Sequence, residues 1–89
     1  MPATLTIVIP TLNAAWELPR TADALLERVT DGLVREVVIS DGGSTDDTAA
    51  VAKELGAVWI EGPPGRGGQI ARGVTAAQSE WVLILHADT

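Results

Sequence analysis

Eighty-nine residues make one small domain and are too few for two. Apolar residues are 46% of the chain, the only aromatics are three Trp, and Cys is absent, so the core must come from Val, Ile, Leu and Ala and thiolate chemistry is excluded. Twelve acids against six bases leave a net charge of −6 with no basic stripe, which argues against a polymeric nucleic acid as partner.

Leu5-Thr6-Ile7-Val8-Ile9 is a short apolar, β-branched run stopped by Pro10, and it reads as a buried strand. From Glu17 to Val29, Leu18, Ala22, Leu25 and Val29 recur at helical spacing and form one stripe. Asp31-Gly32 ends that helix. Val37-Val38-Ile39 is the second buried run, closed by Ser40-Asp41-Gly42-Gly43. Ser44 reads as a helix cap, with Asp46 and Asp47 in the first turn, where the helix dipole favours acids. Thr48, Val51, Ala52 and Leu55 give that helix its inner face, and Gly56 is a natural stop. Ala57 to Ile60 is a third strand. After a loop rich in Pro and Gly, Gln69 to Gln78 reads as a third helix with Ile70, Val74 and Ala77 inward, and Trp81 to Leu85 is the fourth strand.

Alternation of four strands with three helices predicts an α/β fold: a doubly wound, mostly parallel sheet covered on both faces. Right-handed crossovers favour the strand order 3-2-1-4, with the order reversal between strands 1 and 4. Ligands of such sheets bind at the carboxyl ends of the strands beside the reversal. The loops that hold Thr11, Asp41, Arg66 and Asp88 all belong to that edge.

Each loop has a plain reading beside a functional one. Pro10-Thr11-Leu12-Asn13 offers Thr11 and Asn13 to the edge of a base or sugar, or they cap a turn. Asp41 would accept hydrogen bonds from a base or ribose, or from its own backbone. Gly62 to Gly67 has the spacing of a phosphate-binding P-loop, but Gly68-Gln69 stands where Lys and Ser or Thr belong. A dinucleotide fingerprint fails too, because Ile70 occupies its third glycine position. What remains is Arg66 at a helix start, where a guanidinium and free N–H groups meet phosphate oxygens, with Arg72 one further basic candidate. In His86-Ala87-Asp88 a carboxylate beside an imidazole suits a hard divalent ion, Asp88 being the better oxygen ligand and His86 the weaker partner.

Together, Ile7-Val8-Ile9-Pro10-Thr11-Leu12-Asn13, Val37-Val38-Ile39-Ser40-Asp41-Gly42-Gly43-Ser44-Thr45-Asp46 and Leu83-Ile84-Leu85-His86-Ala87-Asp88-Thr89 resemble the nucleotide-binding part of the family-2 glycosyltransferases. The His-Ala-Asp-Thr ending, with Arg66, Gln69 and Arg72 upstream, is similar to that of a small bacterial branch. The resemblance implies a Rossmann-like N-terminal half of a GT-A fold and a nucleotide-diphosphate-sugar donor. It also implies Mg²⁺ or Mn²⁺, and sugar transfer to a hydroxyl acceptor. On that resemblance Pro10, Thr11, Asn13 and Asp41 hold base and ribose, Arg66 or Arg72 approaches the phosphates, and Asp88 ligates the metal with His86 in place of the motif's first acid. Leu12 stands where many members place a base-stacking aromatic. Residues 1–89 are then expected to be a truncated nucleotide-sugar-binding domain without its acceptor half, so no catalytic base is assigned. A non-catalytic nucleotide-binding module and a folded remnant completed by another chain are the alternatives.

Met1-Pro2-Ala3-Thr4 lacks the basic and apolar regions of a secretory signal, and no apolar stretch is long enough to span a bilayer. A cytoplasmic chain without a transmembrane segment is therefore expected. In the 3-2-1-4 order strand 4 is an exposed apolar edge, and self-association through it is expected.

Overall fold

In the computed structural model of the chain the described residues are 5–86, without the side chains of residues 26, 29 and 30. The elements alternate as β1 (Leu5–Thr11), α1 (Leu18–Thr30), β2 (Val34–Asp41), α2 (Thr48–Glu54), β3 (Val58–Glu61), α3 (Arg66–Ala76) and β4 (Trp81–Ile84). They form one four-stranded sheet in the order β3-β2-β1-β4. Every pairing is parallel, as expected.

Side chains alternate across β1, so its two faces carry different cores. Ile7 and Ile9 join Leu18, Val34, Ile39 and Ala52 beneath α1 and α2. Val8 faces the other way, towards α3. A Cβ on Gly73 would stand 2.3 Å from Val8 Cγ1, so α3 meets the sheet at a position only glycine permits. That contact corrects the expected inner face of α3. The residues buried there are Gln69 and Gly73, whereas Ile70 and Ala77 are half-buried and Val74 is exposed.

Several boundaries also differ from expectation, and three of the differences have a visible cause. β1 does not stop at Pro10 but runs on to Thr11. The Val8 carbonyl accepts from Leu85 N–H at 3.0 Å, so alternate residues of β1, Pro10 among them, direct their backbone groups towards β4. The β1–β4 pairing ends at Val8 and Ile84, and beyond it a missing N–H costs no ladder bond. β2 begins at Val34, not Val37. Glu36 there accepts from the Thr6 hydroxyl at 2.8 Å and from Gln78 N–H at 2.7 Å, long-range bonds that make a polar residue part of a strand. Helix α3 starts at Arg66 rather than Gln69, since Gly65 O accepts from Gln69 N–H at 2.9 Å and draws Arg66-Gly67-Gly68 into the first turn.

Ser44 does not cap α2. The helix begins at Thr48, after Asp47, which makes no side-chain cap bond. Asp46 accepts from the Thr48 N–H at 3.0 Å and from the Thr48 hydroxyl, while Ser44 is engaged elsewhere. No helix among the described residues is long and apolar enough to cross a membrane. β4 pairs with β1 on one side only, and Trp81 and Leu83 on it are exposed.

Candidate functional site

The carboxyl ends of β1 and β2 are stitched together by side chains from the loops that follow them. Asp41, the last residue of β2, is 1% exposed. Its Oδ1 accepts from the Thr11 hydroxyl at 2.7 Å and the Ser44 hydroxyl at 2.5 Å. Its Oδ2 accepts from the N–H groups of Gly43 at 2.9 Å and Ser44 at 2.6 Å. A carboxylate offers about four lone-pair sites, and here protein donors take all of them. Burial raises the pKa of Asp41, but the bonds from Ser44, Thr11 and Gly43 outweigh it and hold the group below its ordinary 3.8.

A second row of bonds joins the same loops. Asn13 adopts a left-handed backbone with φ of 53°, which Asn tolerates better than most residues. This turns its N–H onto Ser44 Oγ at 2.7 Å and lets its Oδ1 accept from Thr45 N–H at 2.8 Å. Ala14 N–H donates to Thr48 Oγ1 at 2.9 Å, and Ala15 N–H to Asp46 Oδ2 at 3.2 Å. The Thr48 hydroxyl is the first cause that holds Asp46 below its ordinary pKa. The segments after β1 and β2 therefore form one unit.

From the opposite side, α3 closes the arrangement through Gln69, which is 5% exposed. Its Nε2 donates to Thr11 O at 2.8 Å and to Ser40 O at 2.9 Å, and its Oε1 accepts from Gly65 N–H at 3.1 Å. Gly42 must lack a side chain, because a Cβ there would lie 2.5 Å from Gln69 Oε1.

Between these walls lies a cavity of about 390 Å³. Pro10, Thr11, Leu12 and Asn13 line one side, Gly65, Arg66 and Gln69 the other, and Glu17 and His86 also border it. It sits at the carboxyl end of β1, beside the reversal of strand order between β1 and β4. Five of the residues singled out by sequence meet there: Pro10, Thr11, Asn13, Arg66 and His86. Asp41 stands behind Thr11 rather than in the lining. Arg72 lies aside, its Nη2 donating to Pro63 O at 2.8 Å and its guanidinium packed where a Cβ of Gly62 would be. Asp88 lies outside the described residues.

Sequence reasoning gave Gln69, Glu17 and Ser44 no role at this site. Gln69 left a faint signal, being four residues before Gly73 and so on the same helix face. Glu17 left none, and Ser44 read as a helix cap although it bonds to Asp41 three residues back and to Asn13. Among the described residues, no three His, Asp or Glu side chains gather closely enough to hold a metal ion. The ligating side chains at the cavity are His86 and Glu17.

The profile of glycosyl transferase family 2 matches residues 6–89. A protein of Mycobacterium tuberculosis described as an uncharacterized glycosyltransferase is 39% identical over 85 residues, 94% of this chain and 36% of the relative. The crystal structure of M. tuberculosis glucosyl-3-phosphoglycerate synthase in complex with uridine diphosphate (UDP) superposes with a TM-score of 0.87 at 31% identity, over 98% of this chain and 34% of that one. The same enzyme in complex with Mn²⁺, UDP and glucosyl-3-phosphoglycerate gives a TM-score of 0.85 at 31% identity, over 96% and 33%. The chain thus spans about a third of the length of these relatives.

Proposed function

The chain belongs to glycosyl transferase family 2, and we propose that its cavity is the donor site of a glycosyltransferase, which takes a nucleotide-diphosphate-sugar and passes the sugar to a hydroxyl acceptor. The observation that carries this is the meeting of Pro10 to Asn13 with Gly65 and Arg66 around one cavity at the strand ends. The 10–13 segment offers hydrogen-bonding groups to base and ribose. Arg66, exposed in the first turn of α3, brings a guanidinium and the helix's free N–H groups to the diphosphate. Asp41 shapes this wall through Thr11 and Ser44. A ligand hydroxyl reaches its carboxylate by replacing the Ser44 hydroxyl, the more exposed of its two hydroxyl donors. Arg72 supports the phosphate side by holding the loop at Pro63.

Mg²⁺ or Mn²⁺ completes the proposal. Such ions bind through one or two carboxylates together with substrate phosphates and keep several waters. His86 at the cavity and Asp88 two residues on are the residues that would hold the ion, and Glu17 adds a carboxylate nearby. When bound, it neutralises charge on the leaving diphosphate. Residues 1–89 are on this reading the donor half, with the acceptor half and the general base supplied by further chain. A cytoplasmic setting belongs to the same proposal, since a polyanionic donor does not cross a bilayer unaided.

Arg66→Ala tests the phosphate assignment. It is expected to weaken UDP binding about tenfold, the size of one charge-assisted hydrogen bond, and to leave uridine binding unchanged. An equal loss for both ligands would contradict it. The free edge of β4 supports one further reading, self-association of the isolated chain, because Trp81 and Leu83 expose apolar surface beside unpaired backbone groups. Light scattering should then show a mass that rises with concentration, and a monomer throughout would refute it.

A further inference from the structure

We propose that Gln69 is the positioning residue of the donor site: it clamps the first turn of α3 to the ends of β1 and β2, and so fixes where Arg66 stands. The inference rests on the donor-site reading above and adds to it the residue that holds the two walls in register.

The first turn of α3 has little local reason to be helical. It consists of Arg66-Gly67-Gly68, and its N-cap, Gly65, makes no side-chain cap bond. Two glycines in one turn disfavour the helical conformation relative to alanine. The compensating bonds centre on Gln69, and most of them are long-range. Both donor hydrogens of the Gln69 amide are used, one on the Thr11 carbonyl and one on the Ser40 carbonyl, so a single group bridges two neighbouring strands. The amide oxygen turns back to accept the Gly65 N–H. The Gln69 carbonyl accepts from the Ser40 hydroxyl at 2.6 Å, a second attachment of the same turn to β2.

The placement is specific to a glutamine. Glutamate would set carboxylate oxygens against the Thr11 and Ser40 carbonyl oxygens, and asparagine is one methylene too short to keep all three partners. Gly42 leaves the space into which the amide oxygen fits. Thr11 O, which Gln69 holds, belongs to the residue whose hydroxyl reaches Asp41. Arg66 lies three residues before Gln69 in the same turn. A shift of that turn would move the guanidinium relative to the 10–13 segment.

Gln69→Met keeps the length of the side chain and removes its polar atoms. Hydrogen exchange by NMR, without ligand, should show the Gly65 and Gln69 backbone amides exchanging at least about tenfold faster in that variant, while amides of β2 keep their protection, as expected for a local opening. The unmodified protein offers a reading that does not depend on the variant folding: the Gln69 side-chain amide protons should themselves be protected from exchange. Free exchange of those protons, or unchanged exchange at Gly65 in Gln69→Met, would overturn the clamp.

Binding supplies the functional arm. Gln69→Met should weaken UDP binding about tenfold, and Arg66→Ala added to it should cost less than about twofold, because two coupled residues are not additive. A full tenfold cost of Arg66→Ala in both backgrounds would show that Gln69 does not position Arg66. If the unmodified protein bound no UDP, the donor-site reading would fail, and the exchange measurement would still decide the clamp.

Discussion

Asp41→Ala should lower the stability of the chain by about 3 kcal/mol in urea denaturation near neutral pH, the cost of several charge-assisted hydrogen bonds lost at a buried carboxylate. The carboxylate accepts four bonds from three residues. Its removal strands the Gly43 and Ser44 N–H groups and leaves the Thr11 hydroxyl inside the fold without its acceptor. Asp41→Asn should be nearly as costly, since an amide nitrogen would oppose donors on one side. The sign of the pH dependence follows from the lowered pKa of Asp41. The folded state binds this proton less readily than the unfolded one, so the contribution is present above the ordinary value of 3.8 and is lost as pH falls through the lower folded value. The gap between the parent protein and Asp41→Ala should therefore narrow below pH 3.8. A loss under about 1 kcal/mol at neutral pH, the size of a single ordinary hydrogen bond, would mean that the loops after β1 and β2 are held by other means.

Asp88→Ala carries the largest expected effect on ligand binding. With Mn²⁺ present, UDP affinity should fall on the order of a hundredfold, because the variant removes the carboxylate on which the proposed metal site rests. Without metal, the variant and the parent protein should bind UDP equally. His86→Ala should cost less, roughly tenfold, since an imidazole is a poorer ligand than a carboxylate for Mg²⁺ and Mn²⁺. An Asp88→Ala protein whose affinity still rises with Mn²⁺ as in the parent would remove Asp88 from the metal site.

Much of the architecture was legible because it depends on local pattern and on handedness. The apolar runs at Ile7-Val8-Ile9 and Val37-Val38-Ile39, and the stripe Leu18-Ala22-Leu25, identify elements whose order then follows from right-handed crossovers. Pro10, Thr11, Asn13 and Arg66 were readable as candidates because loops at the carboxyl ends of parallel strands converge. Features that depend on partners distant in the chain were not readable. Pro10 is part of a strand only because β4 ends before reaching it. Ser44 looks like a helix cap, but its hydroxyl oxygen accepts from the N–H of Asn13, 31 residues back in the chain. The glycine-rich turn before Gln69 reads as loop and becomes helix through bonds to Thr11 and Ser40. Arg72 and Arg66 look equivalent as basic side chains. The Pro63 carbonyl separates them.

Calorimetric titration of a uridine-diphosphate-sugar into the folded chain, with and without Mn²⁺, bears most directly on the claim that the tips of these parallel strands build one nucleotide-sugar site. Saturable 1:1 binding that tightens when Mn²⁺ is added is the predicted result. A chain shown to be folded by circular dichroism that takes up no nucleotide-sugar under either condition would contradict it.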